Sequence, residues 1–180
     1  MITLRLETGP ILNALGRLET LLTPEGMKKP LIQIGEYLAE STRQRFVTST
    51  GPDGKKWVPN SQATYLLFLG NRKSETIASG ENAGRINQRG AARAANKRPL
   101  VATGNLAGSI GWQLTAKGVA IGTNWGDWKG GAAVHQFGTA RAGRNHKVTI
   151  PARPFLGLSA QDEVAVQGII DRAFQEALGS

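Results

Sequence analysis

The sequence predicts an α+β domain, a small antiparallel sheet flanked by helices. Two observations carry this. Apolar residues recur at helical spacing at both ends of the chain, and they alternate at strand spacing between about residues 109 and 150. The order of elements is helix, helix, polar arm, hairpin, strand, helix, which packs helices on one face of a short sheet.

Ile11, Leu15, Leu18 and Leu22 stand four, three and four residues apart and form one helical stripe. Thr23-Pro24 then breaks the chain and restarts it, with the threonine as cap. A second helix is expected from about Met27 to Val47, with Leu31, Ile34, Tyr37 and Leu38 inward. Pro30 must lie in its first turn, because a deeper proline costs about 3 kcal/mol. Residues 49–54, Ser-Thr-Gly-Pro-Asp-Gly, end this helix. Trp57 follows the turn and is expected to fold back over the helix that precedes it.

Tyr65 to Leu69 form a short apolar patch. From Gly70 to Pro99 the chain is polar, basic and poor in large apolar side chains, so it reads as a long extended arm. Its alanines permit helix from Arg89 to Lys97. Ile110, Trp112 and Leu114 alternate, Ala116-Lys117-Gly118 turns the chain, and Val119 and Ile121 alternate again, which makes a hairpin. Lys147 to Ile150 reads as a third strand, stopped by Pro151. Ser159 caps a last helix with acids in its first turn; Val166, Ile170, Phe174 and Leu178 repeat every four residues, and Gly179 ends it.

The chain has 180 residues, 40% of them hydrophobic, which suits one domain spanning 1–180. It has no cysteine, so disulfides, thiolate metal sites and cysteine nucleophiles are excluded. No apolar run approaches the ~18 residues of a membrane span, and no leader pattern stands out. No membrane role is expected, and the protein reads as made in the cytoplasm and used there or in a particle assembled there. The formal charge is +9. Residues 51–100 hold most of that excess, with nine basic and three acidic residues. Such a segment addresses phosphates or acidic surfaces, or is simply a solvated loop.

Enzyme motifs are wanting. Gly51-Pro52-Asp53-Gly54-Lys55-Lys56 resembles a phosphate-binding loop only superficially, since the spacing is wrong and no hydroxyl residue follows the lysine. There is no GxSxG and no HExxH. His146 with Asp127 matches no nuclease pattern. No catalytic residue, metal or cofactor is expected.

Residues 135–159 stand apart. They hold both histidines, His135 and His146, with three arginines and a lysine. His135 precedes Gln136-Phe137-Gly138, where Phe137 reads as a core plug, Gly138 as a turn and the histidine as a loop holder bonded to backbone carbonyls. His146 reads as a solvated surface residue. Pro151 and Pro154 stiffen the chain on either side of Arg153, and Ile150 and Arg153 are pushed toward extended geometry. The expected result is a bend that presents Arg153 and buries Phe155 and Leu156. The alternative is that Arg153 pairs with an acid of its own domain.

Several segments stand in a telling order: Pro30-Leu31, Arg45-Phe46, Pro52-Asp53-Gly54 with Trp57 and Pro59, Thr103-Gly104-Asn105-Leu106 with Ser109-Ile110, His135-Gln136-Phe137-Gly138, and Ile150-Pro151-Ala152-Arg153-Pro154-Phe155-Leu156-Gly157. Together they resemble the phage virion morphogenesis family, the tail-completion proteins that include the Mu-like G proteins. Residues 125–131 depart from the pattern, where the family often carries a tyrosine. The resemblance implies a tail-terminator-like or neck-protein-like subunit and structural work late in virion assembly. It implies a homo-oligomeric ring around the DNA channel, commonly six-fold, touching other neck, connector and tail-terminator or tail-tube proteins. No catalytic residue or cofactor is implied. Within that reading His135, Gln136, Phe137, Gly138, Arg153, Pro154 and Phe155 form a docking element. The competing reading is a nucleic-acid-binding protein, in which Arg85, Arg89, Arg93, Lys97 and Arg98 of the arm contact DNA or a partner. That arm lacks aromatic side chains for stacking on bases.

Overall fold

The computed structural model describes residues 9–61, 64–65, 76–95, 97–126, 131–143 and 145–179. They form an α+β fold of helices and two short antiparallel sheets. The chain divides into two compact units. Unit one comprises residues 1–41, 111–122 and 158–180; unit two comprises residues 42–110 and 123–157.

Unit one holds α1 (Gly9–Leu21), the first part of α2 (Lys28–Thr48), the hairpin β1 (Gly111–Thr115) and β2 (Gly118–Gly122), and the last helix. That helix is numbered α6 here (Ala160–Leu178). Pro30 is the third residue of α2, so its missing N–H falls where no helical partner exists. Ile34 and Leu38 of α2 meet Ile169 of α6 in a core flanked by Tyr37, Ile121, Val166 and Ile170. The expected inward faces of both helices therefore meet. Trp112 lies directly on α2: a Cβ at Gly35 would stand 2.5 Å from its ring, so only glycine fits there. Trp112 pairs with Ile121 and Leu114 with Val119 across the hairpin.

The ends of α6 are closed on both sides. Ser159 accepts from the Asp162 amide at 3.1 Å, and the Asp162 carboxylate accepts from the Ser159 amide at 2.8 Å. The other carboxylate oxygen of Asp162 accepts from Ser41 of α2, so this buried acid ties two helices together. At the far end Arg17 of α1 donates to the carbonyls of Ala177 and Leu178, at 2.6 and 2.9 Å. A cation there complements the negative end of the helix. Gly179 turns the chain at φ 83°.

Unit two begins with the last turns of α2 and includes α3 (Gln88–Ala95), α4 (Asn105–Gly108), α5 (Gly131–Phe137), β3 (Thr139–Ala142) and β4 (Val148–Ile150). Its centre is aromatic. The Phe46 ring lies 5.3 Å from Trp57, edge on, and 5.4 Å from Phe155. Trp57 thus folds back on the preceding helix as its position predicts.

Two expectations are corrected here. The strand at 148–150 does not extend the first hairpin; it pairs with β3 in a second sheet. Thr-Ala-Arg-Ala lacks the apolar alternation that reveals a strand, so β3 is silent in the sequence. The arm, over its described residues, is folded rather than extended. Thr76 bridges Ile86, and the Ile77 amide donates to Arg85 at 2.8 Å. Asn87 caps α3 through the Gly90 amide at 2.9 Å, and Gly90 and Ala94 are buried. Small residues on one side of a helix permit a close approach that low hydrophobicity does not forbid. Residues 70–75 lie outside the described residues.

Candidate functional site

Past the end of β4, residues 151–157 have no sheet or helix to satisfy their backbone, yet parts of the segment are fully buried. Every buried polar group must then find a partner elsewhere in the chain. It does so by a set of long-range bonds from α2, the Trp57 loop and α5, all within unit two.

The carbonyls of four consecutive residues each accept from a side chain. Trp57 Nε1 donates to Pro154 at 2.8 Å. Arg45 Nη1 donates to Phe155 and to Gly157, both at 2.8 Å. Gln136 Nε2 donates to Leu156 at 2.9 Å. The Gln136 oxygen in turn accepts the amides of Phe155 and Leu156, at 2.9 and 3.0 Å. The Arg153 amide donates to the His135 carbonyl at 2.7 Å. Phe155 is fully buried by this arrangement, Leu156 half-buried, and Pro154 exposed.

Arg153 is not presented to a partner, as the paired prolines suggested. It is 6% exposed, and its Nε and Nη2 donate to the carbonyls of Val58 and Pro59, at 2.8 and 2.9 Å. Nor are these partners acids, the other possibility. Carbonyls of a tight loop are enough to hold a guanidinium, which is weakly hydrated for a cation. Burial lowers its pKa, and nearby Tyr65 opposes that shift.

His135 also departs from expectation. Its backbone carbonyl, not its ring, makes the holding bond. The ring lies 6.3 Å from Trp125, and its Nδ1 is buried without a hydrogen-bond partner among the described residues. Burial, and secondarily the Arg153 charge, pushes its pKa down, so the imidazole is neutral. A buried neutral ring of this kind fills space beside Trp125.

Phe137 is no core plug. It is 78% exposed. His135 and Gln136 are both half-buried, and one further step of the helix carries residue 137 round to solvent. Gly138 is the expected turn, at φ 72°. A Cβ there would stand 2.7 Å from the Ala152 nitrogen and 2.9 Å from the Ile150 oxygen, so the glycine lets the chain cross its own latch. His146 is exposed at the tip of the β3–β4 hairpin, as expected.

The basic residues of 85–98 do not behave alike. Arg85 and Arg89 are exposed. Arg98 Nη1 donates to the Val47 carbonyl at 3.1 Å, and Lys97 Nζ to Ala102 at 3.0 Å. The Arg93 side chain lies outside the described residues. Lys56 joins Arg98 at the C-terminal end of α2, with Nζ 2.6 Å from the Thr48 carbonyl. These cations close the helix, where positive charge is favourable.

Sequence reading missed the part played by Arg45. It stands in the last turn of α2 and holds a segment 110 residues further on. A charged residue beside Phe46, on the inward face of an amphipathic helix, was the available signal. Among the described residues no cluster of three or more metal-ligating side chains occurs, and no helix is long and apolar enough to cross a membrane.

The profile of the phage virion morphogenesis family matches residues 6–175. Over 77 residues the chain is 47% identical to Mu-like prophage FluMu G protein 2 of Haemophilus influenzae. That alignment covers 43% of this chain and 52% of the relative, about half its length. No solved structure matches the chain. The family profile runs through Arg45, the Trp57 loop, His135-Gln136 and the proline-bounded segment alike, and this chain belongs to the phage virion morphogenesis family.

Proposed function

We propose that this chain is a non-enzymatic structural subunit of the virion neck or the head-proximal end of the tail. Copies form a ring around the DNA channel that completes the tail and joins it to the head. Family membership supports a part in morphogenesis. The observation that carries the structural reading is the latch. The segment richest in candidate catalytic groups puts its polar atoms into holding its own backbone. A stiff frame of this kind suits a subunit that works through shape.

A nucleic-acid contact through residues 70–99 is the second reading. The exposure of Arg85 and Arg89 favours it, while the commitment of Lys97 and Arg98 to carbonyls weighs against it.

The test is genetic. Particles made without this gene are expected to accumulate as separate full heads and tails, and wild-type protein added to the lysate is expected to join them. Normal, joined particles without the gene would contradict the proposal.

A further inference from the structure

The two compact units carry opposite charge. Unit one has six basic and nine acidic residues; unit two has sixteen basic and four acidic. The +9 of the whole chain therefore hides a net −3 beside a net +12. Two copies meeting through like units repel, and two meeting unit one to unit two attract.

Each unit also has an unpartnered apolar feature. In unit one it is the outer side of α1. Ala14, Leu18 and Leu21 are half-buried and belong to the side that packs along α6. Ile11, Leu12, Leu15 and Leu22 are 52–63% exposed. With exposed Glu19, and with Leu22 one residue past the helix end still bonded to the Leu18 carbonyl, they fall within an arc of roughly 100°. The result is an apolar stripe holding one carboxylate. Contiguous exposed apolar surface of this kind marks an interaction site.

In unit two the feature is Phe137, 78% exposed at the end of α5, and the β3–β4 hairpin that follows it. Val148 of that hairpin is 53% exposed. Arg141 and Lys147 are exposed on it, and no acidic residue occurs between Asp127 and Asp162. An exposed aromatic anchor followed by a hairpin with exposed cations and no acid fits an apolar surface that carries a carboxylate.

We infer that the outer stripe of α1 in one copy receives Phe137 and the β3–β4 hairpin of the next. This rests on the ring-forming reading above and names the surfaces that make the ring. The contact is heterologous, so it repeats from copy to copy and closes only by rotation. Duplex DNA satisfies the cations but offers no apolar seat for Phe137. An α1–α1 pairing buries Glu19 against its own copy and leaves Phe137 bare.

The test uses two surface variants of the full chain, Phe137→Asp and Leu15→Asp, followed by sedimentation velocity over a concentration series. Wild type is expected to form multimers. Each variant alone is expected to stay monomeric, because each lacks one half of the contact. Their equimolar mixture is expected to give a species of two chains and nothing larger, through the one intact pair of faces. Glu19→Lys is expected to weaken assembly about tenfold, and Arg141→Glu with Lys147→Glu in the same chain to restore it. Wild type that assembles while either aspartate variant still assembles overturns the inference and leaves the ring standing. Wild type that stays monomeric at every concentration and is absent from particles overturns the ring itself. Monomeric wild type that retards duplex DNA, with loss of retardation in Arg141→Glu, overturns the inference in favour of a polyanion on this face.

Discussion

Arg45 Nη1 lies 2.8 Å from both the Phe155 and the Gly157 carbonyl, across 110 and 112 residues of chain. One buried guanidinium thereby holds two carbonyls of the proline-bounded segment from the end of α2. Replacing Arg45 with methionine keeps the apolar stem and strands two carbonyls. The expected cost is about 2–3 kcal/mol, the penalty of leaving buried acceptors unpaired. For a chain of this size that lowers Tm by roughly 5–10 °C, read by circular dichroism. Lysine, a single compact charge, is expected to rescue less than half.

Gln136 both gives and receives within the latch. Glutamate keeps the two acceptor contacts and loses the donor to Leu156; leucine loses all three. The expected order of Tm is wild type, then Gln136→Glu, then Gln136→Leu, with about 1 kcal/mol or more between steps. Equal stability of all three would remove Gln136 from the latch.

Gly138→Ala and Gly54→Ala both place a side chain at positive φ, at 72° and 76°. Only at Gly138 does the new Cβ also meet backbone atoms inside 3.0 Å; at Gly54 the space is open. The Gly54 change is expected to cost about 1 kcal/mol and the Gly138 change clearly more, roughly 2–4 kcal/mol. Denaturant midpoints of the two variants, compared directly, check this.

His135 makes stability depend on pH in a definite sense. The unfolded imidazole takes its proton near pH 6.5, whereas burial and Arg153 hold the folded pKa lower. Between those values the unfolded chain binds more protons, so stability falls as pH is lowered through that window. It is unaffected by this group above it. Tm is expected to be level from pH 8 to about 7 and to decline below about 6.5. His135→Gln is expected to flatten the part of the decline that His135 causes.

Much of this was legible in the chain itself. Helices α1, α2 and α6, the first hairpin, the Ser159 cap and the Gly179 stop follow from periodicity and capping chemistry, which are local. The candidate site was legible only in part. The segment was singled out by its prolines and charges, but its partners Arg45 and Trp57 stand about a hundred residues away. No local pattern announces a contact of that range. Phe137 misleads because apolar character predicts burial, while the helical turn set by its neighbours His135 and Gln136 points it outward. Residues 76–87 mislead in the opposite sense, since a polar stretch folds by satisfying its own backbone rather than by burying large side chains, whereas the helix at Gln88–Ala95 falls where the alanines permit one.

On the proposed contact, the exposed leucines of the α1 stripe serve assembly rather than folding. Leu15→Asp and Leu22→Asp are expected to leave the unfolding free energy within about 1 kcal/mol of wild type, because both side chains are more than half exposed. The same changes are expected to abolish joining of heads to tails.

The most direct measurement is an image of the intact particle that encodes this chain, at a resolution that traces side chains. The account predicts a ring of copies between head and tail, with the 150–157 segment held inside each subunit and Phe137 seated against α1 of its neighbour. Particles that carry no copy of the chain would contradict it, as would a chain seen singly, with Phe137 in solvent and Arg153 drawn out onto another molecule.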